Sequence, residues 1–487
     1  MSNEILGLEP KRVWYYFNEI CKIPHGPYNE EGIKNYIIGL AKEFGLEYRV
    51  DKAGNLVVRK KATANNLTSK PLILQGHLDM VCEKAEGVVH DFKKDPIKPI
   101  IAGEWIKADG TTLGADNGIG LAIALTILEE TNIKHGPLEC LFTVDEEPGL
   151  FGALGFDPEL IKGRTMINAD CEEDGILYIG SAGAYDWKIV TPIAKKPLPA
   201  GYSGMTIKIS GLRGGHSGLV IHEGRGNALF IMARILYSLK KTDDILLSSV
   251  DGGTAYNVIP SLATATVVVR KENLAKLSQA IKNLGAKIKA EFASIDPKFE
   301  VDVEETPVSE VLEKGVSDRL LIAMKLIPYG VDKMSVDVKG LVQTSSNFGI
   351  VKFEKDCCRI TVSSRSSSDS ELEADKGRIL AIADLLEANI EVGTEYPGWL
   401  PDINSNILAI MKKTYKRLFK AEAHVTAIHA GLECGVLGTK AGGMDMISVG
   451  PWMENVHSPS ERANIESTQK FWKWLVATIE AFAVSKT

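Results

Sequence analysis

The chain has 487 residues, 45% of them hydrophobic and 24% charged. That length exceeds one ordinary core and predicts two domains, or three, while the composition excludes low-complexity disorder and fibres. With 56 Lys and Arg against 63 Asp and Glu, the net charge of −7 gives no electrostatic reason to bind nucleic acid or an anionic membrane.

Residues 1–30 carry charges throughout and lack the apolar stretch of a secretion signal. No apolar run approaches the ~18 residues of a spanning helix. A cytoplasmic protein with no membrane partner is the expectation. Seven cysteines (Cys21, Cys82, Cys140, Cys171, Cys357, Cys358 and Cys434) are odd in number, scattered and without C-x-x-C spacing, so reduced thiols are expected. Any metal must then be held by His and carboxylates.

In chain order, residues 11–46 show helical spacing of apolar and charged groups, broken near Pro24–Pro27. LEYRVD (46–51) and NLVVRK (55–60) form a strand pair turned at Ala53-Gly54. PLILQGHLDMV (71–81) is a short apolar run with a polar end, as a buried α/β strand should be. GADNGIGLAIALTILEE (114–130) reads as a loop feeding a helix, with Asn117 as its N-cap. PLECLFTVDEE (137–147) and RTMINADCEE (164–173) are further buried strands ending in acids. Strands alternating with helices predict an α/β layer domain.

After about residue 184 the texture changes. MTIKISGL (205–212) and ATATVVVR (263–270) read as strands, followed by a charged helix over 271–295. CRITVSSR (358–365) and a helix over 371–390 follow as a second copy. In each copy an Asn (Asn257, Asn347) precedes the strand and an Arg (Arg270, Arg365) closes it. After YPGWLPDINS (396–405) the α/β texture returns, with helix 407–419 and strand 444–450. The expectation is a catalytic domain split between 1–184 and 397–487, carrying an inserted α+β domain at 185–396.

Five segments share one design, an apolar strand whose C-terminal end delivers His or carboxylates. They supply His77 and Asp79, then Asp116, then Asp145, Glu146 and Glu147, then Asp170, and finally His457 beyond strand 444–450. Sites in open α/β sheets lie outside the carboxyl ends of strands, so these groups can converge. Taken singly, a strand-end Asp is an ordinary turn former or cap; the recurrence carries the inference. So many acids in one crevice would repel and protonate unless cations neutralised them. Two His with several carboxylates suit zinc, with manganese or cobalt as alternatives. A bridging carboxylate would allow two ions roughly 3.5–4 Å apart.

The set QGHLDMV, GTTLGADNGIG, DEEPG, NADCEE and VHSP resembles the M20 metallopeptidase family, and within it the bacterial aminoacyl-histidine dipeptidases. The similarity extends over essentially the whole chain, through FNEICKIPH, GGHSG, YPGW and HAGLECG. It implies a zinc-aminopeptidase-like α/β fold, a mixed sheet flanked by helices, with an inserted lid domain of two ferredoxin-like repeats. It also implies two zinc ions per chain. His77 and Asp170 would hold one, Glu147 and His457 the other, with Asp116 bridging and Asp79 orienting His77. Glu146 would be the general base. On the lid, His216 and Asn257 would be oxyanion donors, and Arg365 would grip the substrate carboxylate. His429, Gly431 and Glu433 match the family's substrate-side loop.

The implied function is a dipeptidase for substrates with free termini, Xaa-His and β-alanyl-histidine foremost. A duplicated lid would let one chain complete its own site, so monomer and homodimer are both compatible with it. The nearest rival is a deacylase or carboxypeptidase of the same architecture acting on N-acyl amino acids. A nucleotide enzyme is disfavoured, because Gly114, Gly118 and Gly120 do not follow G-x-G-x-x-G and no Walker lysine follows. Retention of every ligand-type residue argues against a peptide-binding protein without activity.

Overall fold

The computed structural model describes residues 4–64 and 70–485. The chain divides into two compact units: Met1–Ser181 with Trp399–Ala427 and Leu432–Thr487, and Ala182–Gly398 with Ile428–Gly431. No described helix is long and apolar enough to cross a membrane. All seven cysteines are unpaired.

The first unit is built on an eight-stranded mixed sheet in the order Glu47–Val50, Leu56–Lys60, Leu138–Thr143, Leu72–His77, Thr165–Asn168, Asp445–Ser448, Ile176–Ser181 and His424–Ile428. Its centre is parallel: Leu138–Thr143, Leu72–His77, Thr165–Asn168 and Asp445–Ser448 run the same way. Every residue of Leu72–His77 and Leu138–Thr143 is buried, the condition that selects near-continuous apolar runs over alternation. Helix Ala115–Glu129 is buried on all sides through Leu128, which explains its lack of a polar face. Gly118 lets it approach helix Lys11–Ile20, since a Cβ there would lie 3.1 Å from the Phe17 ring. Helices Asn406–Phe419 and Ile465–Ala483 are joined by Trp474 Nε1 donating to the Met411 carbonyl at 3.0 Å and by the Tyr415–Trp474 ring contact.

The parallel strands place their carboxyl ends on one side of the sheet. The chain leaving those ends carries Asp79, Glu146 with Glu147, Asp170 and His457. Asn117 does not cap its helix. Asp116 and Asn117 are non-helical, and the Asn117 amide donates instead to the Ala169 carbonyl (2.6 Å) and Asp170 Oδ1 (2.8 Å). Cap preference yields here to a tertiary hydrogen bond.

The second unit is an antiparallel nine-stranded sheet, eight strands of which make two β-α-β-β-α-β repeats while the ninth, Gly330–Met334, pairs with Val342–Phe353. One is contiguous: Tyr202–Ser210, helix Ala228–Thr242, Leu246–Gly252, Ala263–Arg270, helix Leu274–Glu291 and Glu300–Thr306. The other is Gly183–Pro192, helix Lys314–Leu326, Val342–Phe353, Cys357–Ser366, helix Asp369–Leu385 and Asn389–Tyr396. In both, the strands lie in the order fourth, first, third, second. The two second strands meet at Gly252–Val351, which makes the sheet continuous. The copies are therefore nested, not consecutive. The first strand of the outer repeat precedes the whole inner one, a separation that local pattern cannot reveal. Asn347 precedes strand Cys357–Ser366 as expected, but it lies inside the strand before it, Val342–Phe353.

Candidate metal centre

Strand Leu72–His77 ends on His77, which is 1% exposed. Its Nε2 lies 3.0 Å from Asp116 Oδ1 and 3.2 Å from Asp170 Oδ1. The other Asp116 oxygen, Oδ2, is 3.0 Å from His457 Nε2, which is also 3.2 Å from Glu147 Oε2. The two oxygens of one carboxylate thus face two different imidazoles. Three donor groups with atoms within 4.8 Å of one another result: His77, Asp116 and Asp170; Asp116, Glu147 and His457; and His77, Glu146 and Glu147. All seven side chains expected around the centre, Asp79 included, are brought together in the first unit.

Asp79, buried at 1% exposure, does more than orient His77. His77 Nδ1 is closer to the Asp79 carbonyl (3.0 Å) than to its carboxylate (3.4 Å), so the main chain already fixes the ring. The carboxylate accepts the N–H groups of Glu146 and Glu147, each at 3.0 Å. It thereby holds the turn that brings both acids to the donor cluster. Glu30 accepts the preceding N–H, that of Asp145, at 2.9 Å.

Electrostatics show what such crowding demands. Burial alone would lower His77, but the Asp170 charge and hydrogen bonds to Asp116, Asp170 and Asp79 outweigh it and hold its pKa well above the ordinary value. Hydrogen bonds to Asp116 and Glu147 push His457 up to about 11. Burial would raise Asp116, yet the bonds from His457 and His77 keep it well below the usual carboxylate range. Burial, with repulsion from Asp116 and Glu147, lifts Asp170 to about 6 against the opposing pull of His77. Burial and the charges of Asp170, Glu433 and Glu147 hold Glu146 well above its ordinary value. Protons therefore occupy places that cations can take, the competition expected of metal ligands. The donor set fits divalent cations on this structure's own terms. Asp116 presents an oxygen to each side, and the buried Glu147 Oε1 has no hydrogen-bond partner.

Three further groups support the cluster. Glu461, 2% exposed, accepts main-chain N–H groups around Asp116. Asn117 ties Asp170 to the Asp116 loop. Glu433 is fully buried, its Oε2 accepting from Gln75 Nε2 (2.6 Å) and Thr143 Oγ1 (2.7 Å). Asn117 and Glu433 stand within GTTLGADNGIG and HAGLECG, whereas Glu461 lies in the polar run Ser458-Pro459-Ser460-Glu461-Arg462, which carries no such signal.

Within the second unit, Arg365, His216, His429 and Tyr396 gather. Arg365 is 6% exposed, its Nη1 is 3.3 Å from the Tyr396 hydroxyl, and its Nε has no partner. His429 Nε2 lies 2.7 Å from Ser345 Oγ, and Ser345 is the cross-strand neighbour of Arg365. Burial, then the Arg365 charge, pulls His216 down to about 4 and His429 to about 3, so both are neutral near pH 7. His216 Nδ1 accepts the N–H groups of Gly218 and Leu219 at 3.2 Å each, which leaves its proton on Nε2 as a free donor. Asn257 sits in the turn whose carbonyls at Tyr256 and Val258 accept from the Asn347 amide. Gly431 allows the Tyr396 ring to approach, since a Cβ there would lie 2.7 Å from its hydroxyl. His429 and Gly431 belong to this unit, while Glu433 of the same loop belongs to the first.

Comparison with known proteins agrees with this architecture. The chain is 39% identical to the cytosol non-specific dipeptidase of Escherichia coli (strain K12) over 479 residues, 98% of this chain and 99% of that one. Among solved structures, the aminoacylhistidine dipeptidase from Vibrio alginolyticus superposes with a TM-score of 0.93 at 39% identity, covering 99% of each chain. A tripeptidase from Staphylococcus aureus (TM-score 0.58, 17% identity, 98% of this chain and 100% of that one) shares the fold. The profile of peptidase family M20/M25/M40 matches residues 73–481, and the chain belongs to that family.

Proposed function

We propose that the chain is a cytoplasmic two-metal dipeptidase that hydrolyses dipeptides with free termini, Xaa-His substrates (β-alanyl-histidine included) foremost. The observation that carries the reading is the Asp116 carboxylate, with one oxygen 3.0 Å from His77 and the other 3.0 Å from His457. His77 and Asp170 would hold one cation, Glu147 and His457 the other, and Asp116 would serve both. The nitrogen and oxygen donors suit zinc, with manganese and cobalt as alternatives. When bound, the cations supply Lewis acidity and make water a stronger acid.

Glu146 takes a proton from the attacking water and returns it to the departing amine, so that water and amide become carboxylate and amine. A carboxyl held above its ordinary pKa is suited to giving the proton back. His216, neutral with a donor Nε2–H, and Asn257 stabilise the developing oxyanion. Arg365, buried beside two neutral histidines, grips the substrate's carboxylate. The names of the two relatives at 39% identity support the dipeptide class and the cytosolic location.

The test is a panel of Xaa-His dipeptides, other dipeptides and N-acetyl amino acids, run on protein of measured metal content with zinc, manganese or cobalt. Glu146→Gln should keep its metal and lose about 10²–10⁴-fold in turnover. Turnover within a few-fold of wild type removes Glu146 from the mechanism. Preferential hydrolysis of N-acetyl amino acids replaces the dipeptidase with a deacylase.

A further inference from the structure

Four consecutive main-chain N–H groups converge on one carboxylate. Glu461 Oε2 accepts from Leu113 (2.7 Å) and Gly114 (3.1 Å), and Oε1 accepts from Ala115 (2.8 Å) and Asp116 (3.4 Å). The convergence arises because Gly114 takes φ +69° and helix Ala115–Glu129 begins just after it. Such a turn at a helix N-terminus is a cradle for an anion. Residues 113–117 are buried, so water cannot replace that anion. The group that fills the cradle comes from more than 340 positions away along the chain, not from a neighbouring cap residue.

The other end of the link is as specific. Glu461 follows His457 by four residues and directly precedes strand Arg462–Asn464, which pairs with Trp105–Ala108. His457 has φ +60° and Asn455 φ +52°. Left-handed backbone is unfavourable for a residue such as His457 and persists where the surroundings impose it. The His457 side chain is 50% exposed, so packing alone does not set its direction. Its Nε2 nevertheless lies 3.0 Å from Asp116 Oδ2.

We propose that Glu461 is a positioning residue for the two-cation site, its carboxylate fixing the loop of Asp116 against the loop of His457. It touches neither cation nor substrate; it sets the distance between the bridging ligand and a ligand of the second cation. The inference rests on the two-cation reading above and adds a residue to it.

The test is a cycle of metal-free and metal-loaded protein for wild type and Glu461→Gln. Gln keeps the shape but turns an NH₂ toward two of the four N–H groups. Cation affinity is read by competition with a chromogenic chelator using Zn²⁺, and the environment of the second ion by the Co²⁺ absorption spectrum. Expected are a cation Kd weakened by about 10–100-fold, the usual effect of removing an outer partner of a ligand, and an altered Co²⁺ spectrum. The gain in unfolding stability on metal loading shrinks accordingly. If the variant destabilises both forms equally and binds Zn²⁺ as wild type does, the proposal is overturned. Should Glu461→Gln not fold, Glu461→Asp, which keeps the charge but withdraws it by a methylene, is read in the same cycle with the same criteria. Wild-type protein that takes up no cation overturns this proposal together with the two-metal reading.

Discussion

Replacing Glu433 by Gln removes a fully buried charge while keeping the side chain's shape. Burial, with the Asp170 charge added and His77 opposing, lifts this carboxyl to about 7 from an ordinary 4.5. For an acid whose folded pKa is raised, the penalty is absent below the unfolded pKa and complete above the folded one. At pH 8 the gap corresponds to ~3 kcal/mol against the metal-free fold. The Gln carbonyl can still accept from Gln75 and Thr143, but its NH₂ then stands where Oε1 has no partner, a cost of about 1–2 kcal/mol. Metal-free Glu433→Gln should therefore be ~1–2 kcal/mol more stable than wild type at pH 8. The gain should vanish, and reverse, as the pH falls toward 4.5. Bound cations offset the charge, so the metal-loaded variant should gain less. Denaturant unfolding of chelator-treated protein at two pH values is the assay. An identical effect at pH 8 and pH 5.5, or a loss of stability at pH 8, refutes the reasoning.

Other changes probe other parts. Arg365→Ala should raise KM for dipeptides by about 10–100-fold, the worth of a charge-assisted bond, and leave C-terminally amidated analogues nearly unaffected; equal effects on both reject carboxylate capture. Gly76→Ala would put a Cβ 2.1 Å from Asn117 Oδ1, forcing the amide off Asp170. A loss of about 1–3 kcal/mol in stability together with weaker cation binding is expected, checked by thermal unfolding and chelator competition. Because His429 is held at about 3 and His216 at about 4, the stability each contributes in neutral form is present above pH 6.5 and declines as the pH falls toward those values. His429→Gln should flatten the acid limb of the stability curve between pH 6.5 and 4, as followed by denaturant midpoints.

The clustering of these His and carboxylate side chains was legible because their chemistry recurs at one kind of place. Apolar runs such as LILQGH and LECLFT can be little other than buried parallel strands, and the polar residues just past them must surface at the strands' common end. The supporting residues were not legible for the converse reason. Glu461, Glu30 and the Asp79 carboxylate act by accepting main-chain N–H groups, and any loop offers those whatever its sequence. Asn117 misled because Asn before a helix is a good cap, and nothing in one sequence announces that Asp170 will need its amide. Arg270 and Arg365 likewise read alike at the ends of similar strands. The first is exposed near the Tyr202 ring, while the second is buried beside two histidines, a difference of environment that periodicity does not encode.

The nesting of the two repeats bears on how the nascent protein assembles. The inner repeat, 202–306, leaves the ribosome with all four strands and both helices in one stretch. Strand Gly183–Pro192 emerges before it but pairs with Cys357–Ser366 and Asn389–Tyr396, which are made after it. Until then Trp187 and Ile189, destined for the interior, lack their cover. Late pairing between such distant segments is slow and exposes an adhesive edge meanwhile. A chain that ends soon after residue 306 would thus keep Gly183–Pro192 without its partners, a species for chaperones to shield.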